Sequence, residues 1–287
     1  MTDNIAQSRA PAREEAARAG KIDTLSNAHI RPRIIYKDNS SILKTTKGQE
    51  QEQVGGGLRG SIVGFSRQSR YRLMQMIGSI RRDAELPNFV TLTYPKDFPT
   101  VARSKRDLKI FLQRLKRKYP DAGYIWKLEP QDRGAPHFHM LVWGVKTKDL
   151  FKWVCDNWYD IAGQGDKNAY LFLLGVLRDS KPCVAKVRSW RGVWSYASKY
   201  LGKTFEVAQW GNKWTGRYWG IGQKNNIPFG QELIIDCDLR EVVQIMRFQR
   251  RYAHLKGRSQ NSLTIFCDAD QWIKKLFHVR PNSFPVK

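Results

Sequence analysis

Cysteine and histidine are both scarce in this chain of 287 residues, and acidic side chains are outnumbered almost two to one by basic ones. The four cysteines, Cys155, Cys183, Cys237 and Cys267, include no C-x-x-C pair. That argues against both a cysteine zinc site and a disulfide framework, so the thiols are expected to be reduced and structural. No apolar run approaches the roughly 20 residues of a membrane-spanning helix. A G-x-x-x-x-G-K-[ST] phosphate loop is missing, so no fused ATP-driven helicase is expected. The opening MTDNIAQSRA lacks the charged-then-apolar order of a signal peptide, and the expected location is the cytoplasm.

What is abundant is positive charge. Lys and Arg number 50 against 26 Asp and Glu, a formal net charge of +24, and an excess of that size calls for a polyanionic partner. Nucleic acid fits best. An anionic membrane surface fits poorly, because no basic amphipathic helix carries the excess. The 41% hydrophobic content is enough for a real core.

The chain divides by composition into a mobile polar leader (1–60), a main domain (61–235) and a C-terminal helical extension (236–287). Within the leader one short ordered stretch is expected around Ile34 to Tyr36. Ser66 caps a helix with Leu73, Met76, Ile77 and Ile80 on one face. FVTLTY, Phe89 to Tyr94, reads as a strand closed by Pro95. Ser104 to Tyr119 is an amphipathic helix whose Leu108, Phe111, Leu112 and Leu115 form the apolar stripe. GYIWKLE (Gly123 to Glu129) and PHFHMLVWG (Pro136 to Gly144) make a hairpin through a polar connection containing Arg133-Gly134. A Trp-rich helix near Asp149 to Tyr159, a strand near Cys183 to Arg188, a helix from Arg191 to Leu201 and a strand from Gly216 to Ile221 complete an α+β plan with about five strands. Beyond Asp238 the pattern is helical to about Leu255, followed by a short strand and a helix.

His137 and His139 lie two apart in a strand, so both imidazoles leave the same face of the sheet. Neutral imidazole is a common metal ligand. Glu129 precedes them by eight and ten residues, even separations that let it face them across an unbulged hairpin and supply a third ligand. Asp132, in the connection, is the weaker candidate. Two nitrogens and one carboxylate leave coordination positions open for water or phosphate oxygen, as in catalytic metal sites.

In WSYASKYLGK, Tyr196 and Tyr200 are four apart, and each is followed three residues later by a lysine, Lys199 and Lys203. On a helix both hydroxyls share a face. A tyrosine oxygen can attack phosphorus and form a phosphotyrosyl ester, while a nearby ammonium holds the phosphate charge and favours the phenolate. Trp210 and Trp214, in a Gly/Lys/Thr-rich loop, are the best candidates among ten tryptophans for stacking on bases.

TLTYP (Thr91 to Pro95), PHFHML (Pro136 to Leu141) and YASKYLGK (Tyr196 to Lys203), in that order, resemble the HUH endonucleases. The doubled YxxKYxxK and the linking WKLEPQDRGAPHFH are similar to the two-tyrosine rolling-circle initiators of small single-stranded DNA phages and related plasmids. The resemblance covers roughly residues 61–223. It implies a five-stranded antiparallel sheet flanked by helices, with the H-x-H strand central. It further implies Mg²⁺ or Mn²⁺ held by His137, His139 and Glu129, and Tyr196 and Tyr200 as nucleophiles assisted by Lys199 and Lys203. Thr91, Thr93 and Tyr94 become an origin-contacting or architectural motif, with Arg133 as a further DNA contact. The partners implied are single-stranded origin DNA, linear or hairpin, and a host polymerase and helicase.

Three other readings share these residues. A transposase or relaxase would use the same chemistry. A non-catalytic single-strand-binding protein would need neither metal nor adduct. A phosphodiesterase that activates water would keep the histidines and dispense with both tyrosines.

Overall fold

The computed structural model describes residues 33–37, 40–44, 64–81, 83–95, 97–178, 180–190, 193, 216–236, 247 and 262–265. The chain divides into two compact units, one of residues 58–230 and the other of 1–57 with 231–287.

The larger unit is built on a five-stranded antiparallel sheet: β3 (Asn88–Thr93), β4 (Gly123–Pro130), β5 (Pro136–Trp143), β6 (Val184–Lys186) and β7 (Trp219–Gly222), in the order β6-β3-β5-β4-β7. The H-x-H strand β5 is therefore central, paired on one side with β3 and on the other with β4. The period of two along β5 sorts its side chains. Phe138, Met140 and Val142 enter one core, with Leu108, Phe111 and Leu115 of helix α2 (Val101–Lys118) and Leu150, Val154 and Trp158 of α3 (Thr147–Ala162). Leu141 and Trp143 enter a second core, with Leu73 and Ile77 of α1 (Arg67–Gly78) and with Ile125 and Tyr218. Each fully buried Leu, Phe or Met contributes about 1.5–3 kcal/mol of burial free energy, so the two cores fix which face of β5 points where.

Local signals explain the ends. The Ser69 amide donates to Ser66 Oγ at 3.2 Å, the cap expected for α1. Helix α2 begins earlier than the apolar stripe suggests, because Thr100 caps it by accepting from the Arg103 amide. The stretch after α3, left without structure by its sequence pattern, holds α4 (Lys167–Leu174), capped by Asp166 and ended by Gly175 at φ 74°. Gly175 needs that left-handed conformation, and a Cβ there would also strike Pro182 at 2.4 Å.

The smaller unit corrects the expectation of a mobile leader followed by a helical tail. Strands β1 (Arg33–Lys37), β2 (Ser40–Lys44), β8 (Leu233–Asp236) and β9 (Ser262–Ile265) form a second antiparallel sheet, in the order β8-β1-β2-β9. The ordered stretch expected at Ile34 to Tyr36 is one arm of a hairpin, and β9 falls where a short strand was expected after the C-terminal helix. The physical reason is non-local: β1 is five residues long and completes its ladder only by pairing Arg33–Tyr36 with residues some 200 positions away. The helix expected from Asp238 to Leu255 lies outside the described residues, apart from Arg247, which is helical.

Candidate functional site

The β4–β5 hairpin is in unbroken register from Gly123↔Trp143 to Pro130↔Pro136. Its turn closes through the Gln131 amide on the Ala135 carbonyl at 2.9 Å and the Gly134 amide on the Gln131 carbonyl at 2.7 Å, with Gly134 at φ 80°. This register sets Glu129 opposite His137 and Lys127 opposite His139, all four on one face. On the other flank of β5, Thr93 faces His137 and Thr91 faces His139.

The side chains converge. His139 Nε2 is 3.1 Å from Glu129 Oε1, and the two imidazoles meet edge to face with ring centroids 4.3 Å apart. His137 Nδ1 is 3.1 Å from Thr93 Oγ1, and Phe89 stacks on His139 at 5.4 Å. Lys127 Nζ donates to Glu129 Oε2 at 3.3 Å and lies over the Phe65 ring. Lys127 was missed in the sequence, although its even spacing from His139 and Glu129 is the signal that places it on the same face.

Electrostatics follow from this packing. Burial, reinforced by the neighbouring His139, pushes His137 down to about 3, so its imidazole is neutral at pH 7. Burial alone would raise Glu129, but the hydrogen bond and charge of His139, with the Lys127 ammonium, outweigh it and hold the carboxyl below its usual value. A neutral imidazole beside an ionised carboxylate is the protonation state that a cation needs. The donor chemistry therefore fits a divalent metal. As the side chains stand, no group of three or more His, Cys, Asp or Glu residues among the described residues is arranged to hold one. Lys127 already supplies a positive charge to Glu129.

Of the other predicted contacts, Tyr94 is 3% exposed, and its hydroxyl donates to Asp107 Oδ2 at 2.9 Å. Its role is architectural. Arg133 donates to the Tyr94 carbonyl at 2.6 Å, the Pro95 carbonyl at 2.7 Å and Gln131 Oε1 at 3.0 Å, strapping the end of β3 to the hairpin turn. Asp132 is exposed in that turn. Tyr196, Lys199, Tyr200, Lys203, Trp210 and Trp214 lie outside the described residues. Cys155 and Cys183 are buried free thiols, as expected, with Sγ atoms 3.4 Å apart. No helix among the described residues is long and apolar enough to cross a membrane.

Fold and site together define an α+β protein whose central antiparallel strand presents two imidazoles, with a carboxylate on the neighbouring strand. Residues 87–205 match the family model of the replication-associated protein ORF2. The matched span runs from the start of β3 past both tyrosines and Lys203. No curated protein and no solved structure matches the chain.

Proposed function

We propose that this protein is a replication initiator that nicks and rejoins single-stranded DNA at a rolling-circle origin. The observation that carries the reading is the convergence of His137, His139 and Glu129 at one end of the sheet, inside a segment matching a replication-associated family. A net charge of +24 supplies the attraction for DNA.

In this reading Tyr196 or Tyr200 attacks the scissile phosphorus through its phenolic oxygen. The bond to the 3′ oxygen breaks, and the products are a 5′-phosphotyrosyl ester and a free 3′-hydroxyl for a host polymerase. The departing 3′ oxygen takes up one proton and the attacking phenol loses one, and Lys199 and Lys203 are the groups assigned to hold the phosphate charge. The second tyrosine makes the second cut, which allows rejoining. His137, His139 and Glu129 would hold Mg²⁺ or Mn²⁺, which supplies Lewis-acid polarisation of the phosphate. Thr93 orients His137, and Lys127 keeps Glu129 ionised until a divalent ion arrives. Unwinding falls to a separate helicase.

The test incubates the protein with labelled single-stranded oligonucleotides and Mn²⁺ or EDTA, alongside Tyr196→Phe, Tyr200→Phe and the double variant, on a denaturing gel. The expected result is a metal-dependent covalent adduct that is lost only in the double variant. Cleavage without an adduct would instead favour water activation, and binding without cleavage would make this a binding protein.

A further inference from the structure

A cavity of about 410 Å³ opens at the end of β3, between that strand, the β4–β5 turn and helices α3 and α4. It exists because β6 pairs with β3 only over Asn88–Val90, which leaves the far end of β3 without a strand on that side. The outward carbonyl there does not invite an added strand: Trp158 Nε1 already donates to Thr93 O at 2.9 Å. That closes the edge to peptide pairing.

The lining selects a ligand class. Trp158, Ala169 and Phe172 give apolar walls, and Phe172 is 40% exposed, an aromatic face offered to solvent. Gln131 and Asp166 are the polar lining groups. Asp166 caps α4 by accepting from the Asn168 amide through Oδ1 at 2.8 Å, so its other oxygen remains for a ligand's donor. A carboxylate at a cavity repels phosphate, whereas it accepts from an amino group on a flat ring. The volume lies in the range of about 300–1,000 Å³ typical of small-molecule sites and suffices for one nucleotide's base and sugar.

Position supplies the connection to the chemistry. Thr93 belongs to both places: it lines the cavity, and its hydroxyl meets His137 Nδ1 at 3.1 Å. One strand spacing, about 4.8 Å, separates β3 from the strand carrying the histidines. We propose that this cavity takes an unpaired nucleobase bearing an exocyclic amino group, from a nucleotide of single-stranded DNA next to the phosphate at the His137–His139 pair. The placement rests on the function proposed above. Phe172 provides the stacking face, Asp166 accepts from the amino group, and the base is chosen by that acceptor, so adenine and cytosine are preferred to thymine, which has no exocyclic amine.

The test measures anisotropy of labelled strands of roughly twelve nucleotides, within single-strand site sizes, bound to the full chain in EDTA. The strands are dA, dC and dT homopolymers and an abasic strand of equal charge. Ala169→Trp fills the cavity, and Asp166→Asn removes the charge while keeping a good helix cap. Wild-type protein should bind dA and dC more tightly than dT. Ala169→Trp should weaken binding of dA and dC by roughly five- to a hundredfold, the range of one lost stacking contact, and leave the abasic strand unchanged. Asp166→Asn should bring dC to the level of dT, and it keeps the question decidable if Ala169→Trp fails to fold. Equal weakening of the abasic strand, or no base discrimination in either variant, overturns the proposal. Because EDTA blocks cleavage, the two readings fail separately: base discrimination without a later covalent adduct ends the nicking reading alone, and an adduct without discrimination ends the cavity proposal alone.

Discussion

His137 Nδ1 stands 3.1 Å from the Thr93 hydroxyl across the β3–β5 pair, where the two residues are register partners. With Nδ1–H donating to Oγ1, the ring presents Nε2 as its lone pair, the tautomer a metal ligand requires. Thr93→Val keeps the β-branched shape and removes the acceptor. Mn²⁺ affinity, read by calorimetry or by electron paramagnetic resonance, should fall about 10- to 100-fold, the usual loss when a ligand's supporting hydrogen bond is removed. Thermal stability should change little. An unchanged Mn²⁺ affinity would show that Thr93 does not orient the ring.

Lys127 and Glu129 form a buried ion pair at 3.3 Å, with the Lys127 side chain 3% exposed. Removing one partner leaves the other charge inside the protein. Lys127→Met should destabilise by about 3 kcal/mol, the low end for a broken buried pair, because His139 still holds Glu129 Oε1. The double variant Lys127→Met, Glu129→Met should recover part of that loss. Urea unfolding of the four proteins in the cycle decides it, and a coupling near zero would mean that the pair is not a unit.

How far the site could be read from sequence depended on the reach of each signal. The period of two placed His137 and His139 on one face, and the even spacing to Glu129 predicted the facing that the register Glu129↔His137 shows. Both are consequences of a single hairpin. Lys127 was passed over because a lysine between Trp126 and Leu128 reads as a solvated strand position, and only the packing of Phe65 above it shows otherwise. The five-stranded sheet was legible because most of its strands are bounded by local turn and helix signals. The four-stranded sheet was not, because β1 and β2 are short, polar-flanked segments whose partners lie near the far end of the chain.

Tyr94 belongs to a segment that its sequence offered as either DNA contact or architecture, and its buried hydrogen bond to Asp107 separates the two. Asp107 is itself buried, held by Tyr94 and by Arg103 Nε at 2.9 Å. Tyr94→Phe should cost about 1–3 kcal/mol in unfolding free energy, since it leaves a buried carboxylate oxygen without its donor. Single-stranded DNA affinity measured well below the melting temperature should be unaltered. A drop in affinity with unchanged stability would reverse the assignment.

Lys105 gives the molecule a stability change at alkaline pH. Its ammonium lies over the Trp126 ring at 4.7 Å and donates to the Arg217 carbonyl, and burial pushes it down to about 7 from 10.5. Between those values the unfolded chain binds a proton at this side chain that the folded chain does not. Stability from this group therefore rises with pH from about 7 to 10.5 and is lost as pH falls back through that window. Lys105→Met has no such proton to lose. The difference in melting temperature, wild type minus variant, should increase between pH 7 and pH 10, with other titrating groups cancelling in the subtraction. A flat difference would mean that the Trp126 ring and the Arg217 carbonyl hold the ammonium charged in the folded protein throughout, their attraction having matched the desolvation that opposes it.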